Sequence, residues 1–354
     1  MTRRIIICLD GTANEAEGFP SNVIRTFEIA AKTDTQIVYY DPGVGTMGAR
    51  SRSSQLGKLI SRVGGLAFGH GVKENIEEAY RFLMHTYQAG DQIFIFGFSR
   101  GAYTARALAG LLRSVGLIRP GLDNMLPYAM KLYTRKSKDE ATPEQEKAYW
   151  KPFNDFRDTF GNPAFPHPFD RSTKQVQFLG VWDTVKFVGW FNFRGKFQQA
   201  RWPFTRNVAN VETARHGLAL DEKRRFYADY RFTRSVVDNE KRDIEEQWFV
   251  GVHSDVGGGL SDNQPLANVS LHWMVAEAES AGLEIDAKAY RSHMGVKHGD
   301  QLPRLGVEVT ISGTNPIWVI AGLGWRRRQF RHGDTAHPSV AEWQKTHPDY
   351  RPAI

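Results

Sequence analysis

A single cysteine, Cys8, stands among 354 residues. That count excludes an intrachain disulfide and gives no support to a zinc site built of thiolates, and it fits folding in a reducing compartment. No apolar run approaches the roughly 20 residues that a bilayer-spanning helix needs. The opening Met1-Thr2-Arg3-Arg4-Ile5-Ile6-Ile7-Cys8 has too short an apolar stretch for a signal peptide and leads straight into a turn. It is expected to be the first strand of a sheet, in a cytoplasmic protein whose delivery elsewhere would need a signal-independent secretion system. Internal repeats, low-complexity tracts and long Lys/Arg blocks are also missing. The net charge of +7 therefore reads as a solvated surface, and no nucleic-acid partner is expected.

What is present is the composition of an ordinary globular chain, 41% hydrophobic and 24% charged, long enough for one large α/β domain spanning 1–354. Short, nearly continuous apolar runs end in turns at Ile5–Leu9, Gln36–Tyr40, Ile93–Phe96, Val176–Trp182 and Trp248–Val252. Such runs are the pattern of strands buried on both faces of a parallel sheet. Helical spacing appears between them. Val72, Ile76, Ala79, Tyr80, Leu83, Met84 and Tyr87 share one face, as do Ala105, Leu108, Ala109, Leu112 and Val115. Further helices are expected over Leu218–Arg225 and about Leu266–Glu279. The alternation predicts an α/β fold: a doubly wound, mostly parallel sheet with helices on both faces. The stretch 119–171 breaks the rhythm and is expected to be an insertion, a lid candidate over one end of the sheet.

The sharpest motif is Gly97-Phe98-Ser99-Arg100-Gly101 between an apolar run and a small-residue helical pattern. In that context Gly-x-Ser-x-Gly is a nucleophile elbow, with glycines where the cramped turn admits no bulk. A serine hydroxyl needs a general base, and the base needs a carboxylate to orient it. Asp183 and His253 follow later strand ends in the order Ser, acid, His, which makes them the candidate acid and base. Asp221 is the weaker rival acid. Among the 11 histidines, His85 and His272 fall within helices and His298 and His347 in charged loops, which leaves His253 the best placed. The oxyanion donors are expected to be the backbone N–H of Arg100 and the Gly11-Thr12 turn.

Two other readings stay open. Asp10, Asp41, Asp183, His253 and Asp255 all follow strand ends and suit a hard cation, so a metal-dependent phosphohydrolase is the alternative enzyme. A haloacid-dehalogenase-type phosphatase is disfavoured, since Cys8 stands where its nucleophilic aspartate belongs. Outside enzymes, the chain reads as a non-catalytic lipid-binding protein on a hydrolase scaffold. Phe187, Trp190, Phe191 and Phe193, mixed with Lys186, Arg194 and Lys196, suit a lipid headgroup boundary and are the candidate peripheral membrane contact. A second aromatic and basic run, Ile317 to Arg328, has the same character. No cofactor is expected.

Several motifs together resemble a known family. Cys8-Leu9-Asp10-Gly11-Thr12, Tyr40-Asp41-Pro42-Gly43-Val44-Gly45, Gly97-Phe98-Ser99-Arg100-Gly101-Ala102, Gly180-Val181-Trp182-Asp183-Thr184-Val185 and Gly251-Val252-His253-Ser254-Asp255-Val256-Gly257-Gly258 are similar to those of a bacterial and fungal α/β-hydrolase domain family. That family includes type VI secretion phospholipase effectors. Ala214 to Arg224 and His337-Pro338-Ser339-Val340 fit it as well. The resemblance implies an α/β-hydrolase fold, Ser99, Asp183 and His253 as nucleophile, acid and base, and hydrolysis of phospholipid or other lipid esters.

Overall fold

The computed structural model describes residues 2–11, 20–43, 70–135, 142–168, 170, 173–186, 189–191, 197–199, 202–233, 243–259, 264–312 and 327–352. Seven strands form one sheet: β1 (Arg4–Leu9), β2 (Gln36–Asp41), β3 (Gln92–Phe98), β4 (Val176–Trp182), β7 (Val211–Ala219), β8 (Asp243–Phe249) and β9 (Thr335–Ala336). Their order is β2-β1-β3-β4-β7-β8-β9, and every neighbouring pair is parallel. A separate antiparallel hairpin pairs β5 (Gly189–Phe191) with β6 (Phe197–Gln199).

Strand alternation decides which core each side chain enters. Ile5, Ile7 and Leu9 of β1 join a core beneath α2 (His70–Thr86) and α3 (Arg100–Val115). Ile6 and Cys8 join the opposite core, under α1 (Asn22–Ile29) and α7 (Gln264–Ser280). Helices thus cover both faces, as expected of an α/β fold. The order reverses between β1 and β3. In open α/β sheets the crevice beyond the strand ends at such a reversal is where ligands bind. The turns after β1 and β3 carry Asp10-Gly11 and Ser99.

The 119–171 segment is built of α4 (Leu126–Tyr133) and α5 (Pro143–Phe160). Leu126, Ala129, Met130, Tyr133, Phe153 and Phe156 enter the α2/α3 core, and Ile118 and Gly161 bridge the ends of the segment.

The structure corrects two expectations. Residues 218–225 do not form the expected helix: β7 runs to Ala219, followed by a loop and a short 3-10 turn, Arg225–Tyr227. The strand expected over Trp248–Val252 lies earlier, as Asp243–Phe249. In both places charged residues sit where a buried strand would be expected to be apolar. Arg215 of β7 is only 7% exposed. It is held by Asp243 at 2.8 Å and Glu277 at 2.6 Å. These partners satisfy a buried charge that sequence periodicity cannot pair. Among the described residues, no helix is long and apolar enough to cross a membrane.

Candidate active site

Ser99 lies between β3 and α3 with φ 58° and ψ −120°, a conformation that non-glycine residues rarely adopt. Its glycine neighbours make the turn sterically feasible. A Cβ on Gly97 would stand 2.6 Å from the Gly101 carbonyl oxygen, and one on Gly101 would stand 2.1 Å from that of Leu9. Gly11, after β1, faces the serine directly: a Cβ there would meet the Ser99 Cβ at 3.3 Å. The Arg100 backbone N is the first of α3, at the positive end of the helix.

The next strand holds the serine in place. Ser99 N–H donates to the Trp182 carbonyl at 3.1 Å, and Val185 N–H donates to the Ser99 carbonyl at 3.2 Å. Between these contacts lie Asp183, itself at φ 36°, and Thr184. One backbone turn therefore carries the carboxylate and grips the serine.

The Asp183 side chain is fully buried. Its Oδ2 accepts from His253 Nδ1 at 2.6 Å and from Arg328 Nη2 at 3.0 Å. Its Oδ1 accepts from the Ala219 N–H at 3.1 Å and from Arg328 Nη1. Burial alone would raise the Asp183 pKa, but the Arg328 charge and the His253 contact outweigh it. They hold the carboxyl well below the usual carboxylate range. An ionised carboxylate can only accept, so the His253 proton resides on Nδ1 and Nε2 keeps its lone pair. Burial lowers the imidazole pKa and Asp183 opposes that, with a net downward shift. A lowered pKa favours the neutral ring.

His253 opens the short helix α6 (His253–Gly257). Its ring lies 4.6 Å from that of Phe98, the residue before Ser99, and 4.7 Å edge-on from Tyr227. Its backbone N–H donates to Glu222 Oε2 at 3.2 Å, and Glu222 is paired with Arg224 at 2.7 Å.

The remaining candidates are placed as follows. The Gly11 N–H donates to Asp10 Oδ1 at 2.6 Å. Thr12, Phe187 and Phe193 fall outside the described residues, as does the run from Ile317 to Arg326, while Trp190 and Phe191 lie on β5. Asp221 takes the Gly251 N–H at 2.8 Å and the Tyr350 hydroxyl at 2.9 Å, whereas Asp183 meets the imidazole. The carboxylates proposed to share a cation are bound by separate protein donors. Asp10 takes the hydroxyls of Ser21 and Tyr40, Asp41 the Asn75 amide, and Asp255 the Ser312 hydroxyl. No group of three or more His, Cys, Asp or Glu side chains gathers to hold a metal among the described residues. Sequence reasoning read Arg328 as the end of a lipid-facing run, whereas it is buried against Asp183, and it missed Tyr227 and Glu222. The run Leu220-Asp221-Glu222-Lys223-Arg224 was a signal for the last, obscured by its helix-like composition.

Comparison with known proteins shows the family of the chain. The family model described as "T6SS, Phospholipase effector Tle1-like, catalytic domain" matches residues 3–277. An uncharacterized protein of Saccharomyces cerevisiae is 32% identical over 242 residues, covering 65% of this chain and 33% of the yeast protein. Two solved structures are similar. An uncharacterized protein from Pseudomonas aeruginosa has a TM-score of 0.44 and 19% identity, over 82% of this chain and 47% of that one. The Tle1 effector bound to the VgrG spike of the type 6 secretion system has a TM-score of 0.36 and 20% identity, over 74% of this chain and 52% of that one. The chain thus spans about a third of the yeast relative's length and about half of each structure's.

Proposed function

The chain belongs to the family of Tle1-like phospholipase effector catalytic domains, and on that premise we propose that it is a serine hydrolase cleaving phospholipid esters through an acyl-enzyme. The observation that carries this reading is the 2.6 Å contact between His253 and Asp183, made beside a serine in a strained strand-to-helix turn. In this reading the Ser99 Oγ attacks the acyl carbonyl while His253 Nε2 takes its proton. Asp183 stabilises the imidazolium that forms. The proton then passes to the departing alcohol oxygen, and a water activated by the same imidazole releases the fatty acid.

The developing oxyanion is assigned to the Arg100 N–H and to the Gly11-Thr12 backbone. The Gly11 amide must leave Asp10 to serve. Arg328 keeps Asp183 ionised in the resting enzyme, which fixes the imidazole tautomer. Lipid contact is assigned to Phe187, Trp190, Phe191 and Phe193, on the segment that directly follows the acid turn. Delivery by a secretion system that needs no cleaved signal goes with the same reading.

The test is covalent labelling. A fluorophosphonate probe should modify the folded protein at Ser99, as located by peptide mass spectrometry, and Ser99→Ala should abolish labelling. Labelling elsewhere, or none in folded protein, would count against the nucleophile assignment.

A further inference from the structure

A second histidine, His216, lies behind the acid turn, and the reaction described above makes no use of it. It stands on β7, opposite Val181 of β4 and Glu246 of β8. The ring is fully buried and Glu246 nearly so. The Thr184 N–H donates to His216 Nε2 at 3.3 Å, and the Thr184 hydroxyl lies 3.4 Å from the same nitrogen. A backbone amide can only donate, so Nε2 is bare and the ring proton is on Nδ1, 2.9 Å from Glu246 Oε1. The same Glu246 oxygen accepts the Phe232 N–H at 2.9 Å. Arg106 Nη2, 3.2 Å from Nδ1, then acts as a neighbouring cation, with its guanidinium 3.9 Å from the Phe232 ring centre.

The amide that His216 receives belongs to the residue after Asp183. Three consecutive amides of this turn are each anchored on a different acceptor. Asp183 N–H goes to the Gly217 carbonyl at 2.8 Å, Thr184 N–H to the His216 ring, and Val185 N–H to the Ser99 carbonyl. The positive φ of Asp183 is a conformation that persists only where its surroundings over-determine it. The middle anchor is the only side chain of the three and the only one that can titrate.

We propose that His216 is a positioning residue for the hydrolysis: its bare Nε2 holds the Thr184 amide and so fixes the turn that presents Asp183 and grips Ser99. This inference rests on the reading of Ser99, Asp183 and His253 as the reacting groups. Protonation of His216 would set an N–H against the Thr184 N–H and release the turn. The charged groups facing the ring are Glu246 on β8, Arg106 on α3 and Asp183 on the turn itself. Burial and Arg106 favour the neutral ring, and Glu246 and Asp183 oppose them, with a net downward shift. Activity is therefore lost in acid through two protonations, of His253 and of His216.

The experiment compares wild type, His216→Phe, His216→Gln and Ser99→Ala on phosphatidylcholine vesicles, with thermal unfolding as the folding control. His216→Phe removes the acceptor and should lower kcat about 10- to 100-fold with KM little changed, the scale expected for a misplaced reacting group. His216→Gln offers a carbonyl to the Thr184 amide and should recover most of that loss. The acid limb of its kcat should fall with a slope of one, where wild type is steeper. Folded His216→Phe with wild-type kcat, or an acid limb unchanged in His216→Gln, overturns the proposal while Ser99→Ala remains inactive. Full turnover by Ser99→Ala would instead sink the nucleophile reading on which the proposal rests. If His216→Phe does not fold, ring ¹⁵N NMR of the wild type decides. A protonated Nδ1 and bare Nε2 support the assignment, and the reverse tautomer overturns it.

Discussion

Arg328 reaches both carboxylate oxygens of Asp183 across 145 residues of sequence. Its side chain is nearly as buried as the carboxylate, 3% exposed against 0%. A buried pair of this kind is costly to break, because the surviving partner is left charged and unsatisfied. It also sets the chemistry. A carboxylate shared with a guanidinium lends less of its charge to the imidazole.

Arg328→Met should therefore do two things. It should destabilise the fold by about 3–5 kcal/mol, the scale for a buried pair that loses one member. In the variant that still folds, His253 should become more basic, since Asp183 then no longer shares its charge with a guanidinium. The acid limb of the pH–rate profile should move to higher pH. Urea unfolding and rate measurements between pH 5 and 9 check both, and an unmoved limb would deny Arg328 any influence on the base.

His337 makes the stability of the fold depend on pH. Its Nδ1 accepts the Ser339 N–H at the start of α9 (Pro338–Thr346), and its ring stacks on Phe249 with centroids 4.7 Å apart. Burial, with nearby His272, lowers its pKa to about 4. The folded value lies below the unfolded one, so as pH falls the unfolded chain takes the proton first. The contribution is complete above about pH 6.5 and is lost as pH falls toward 4. His337→Asn keeps a cap acceptor without the titration. Wild type should lose more stability than this variant between pH 7 and 4.5, by on the order of 2 kcal/mol. Parallel slopes in urea unfolding would refute the assignment.

Gly101→Ala tests the elbow through its backbone. The added methyl would collide with main-chain oxygens of Leu9 and Asp10 at 2.1 and 2.5 Å, and main chain yields less readily than a flexible side chain. A loss of about 1–3 kcal/mol is expected from overpacking, with hydrolysis falling much further than stability because Ser99 is displaced. Thermal unfolding and a rate assay on the same preparation separate the two. Activity falling only in step with the folded fraction would show that the close approach matters for folding alone.

Much of this architecture is legible in the sequence, for a physical reason. Strands β1, β3 and β4 are apolar because both faces are covered, and each ends in a turn residue that cannot continue the strand. Ser99 and Asp183 are found by that rule, and His253 by its place just beyond β8, where it opens α6. The rule fails at β7. There Arg215 and His216 look like surface residues until β8 and α7 bring Asp243, Glu246 and Glu277 alongside. It fails for Arg328 because the contact with Asp183 spans most of the chain and no periodicity marks it. In the 119–171 insertion the start of α5 is marked by Pro143 at its first position and by Thr142 and Gln145, which form a capping box. The surrounding polar composition masked a helix whose Phe153 and Phe156 are core residues.

The central claim is that Ser99 is the nucleophile for a lipid ester. Fatty-acid release from phospholipid vesicles by wild type and by Ser99→Ala, at pH 8 and matched folded concentrations, tests it most directly. Release by wild type with loss of at least about 1,000-fold in the variant is the expected result, on the scale of removing a member of a nucleophile–base pair. Equal release by both proteins, or by neither, would contradict the claim.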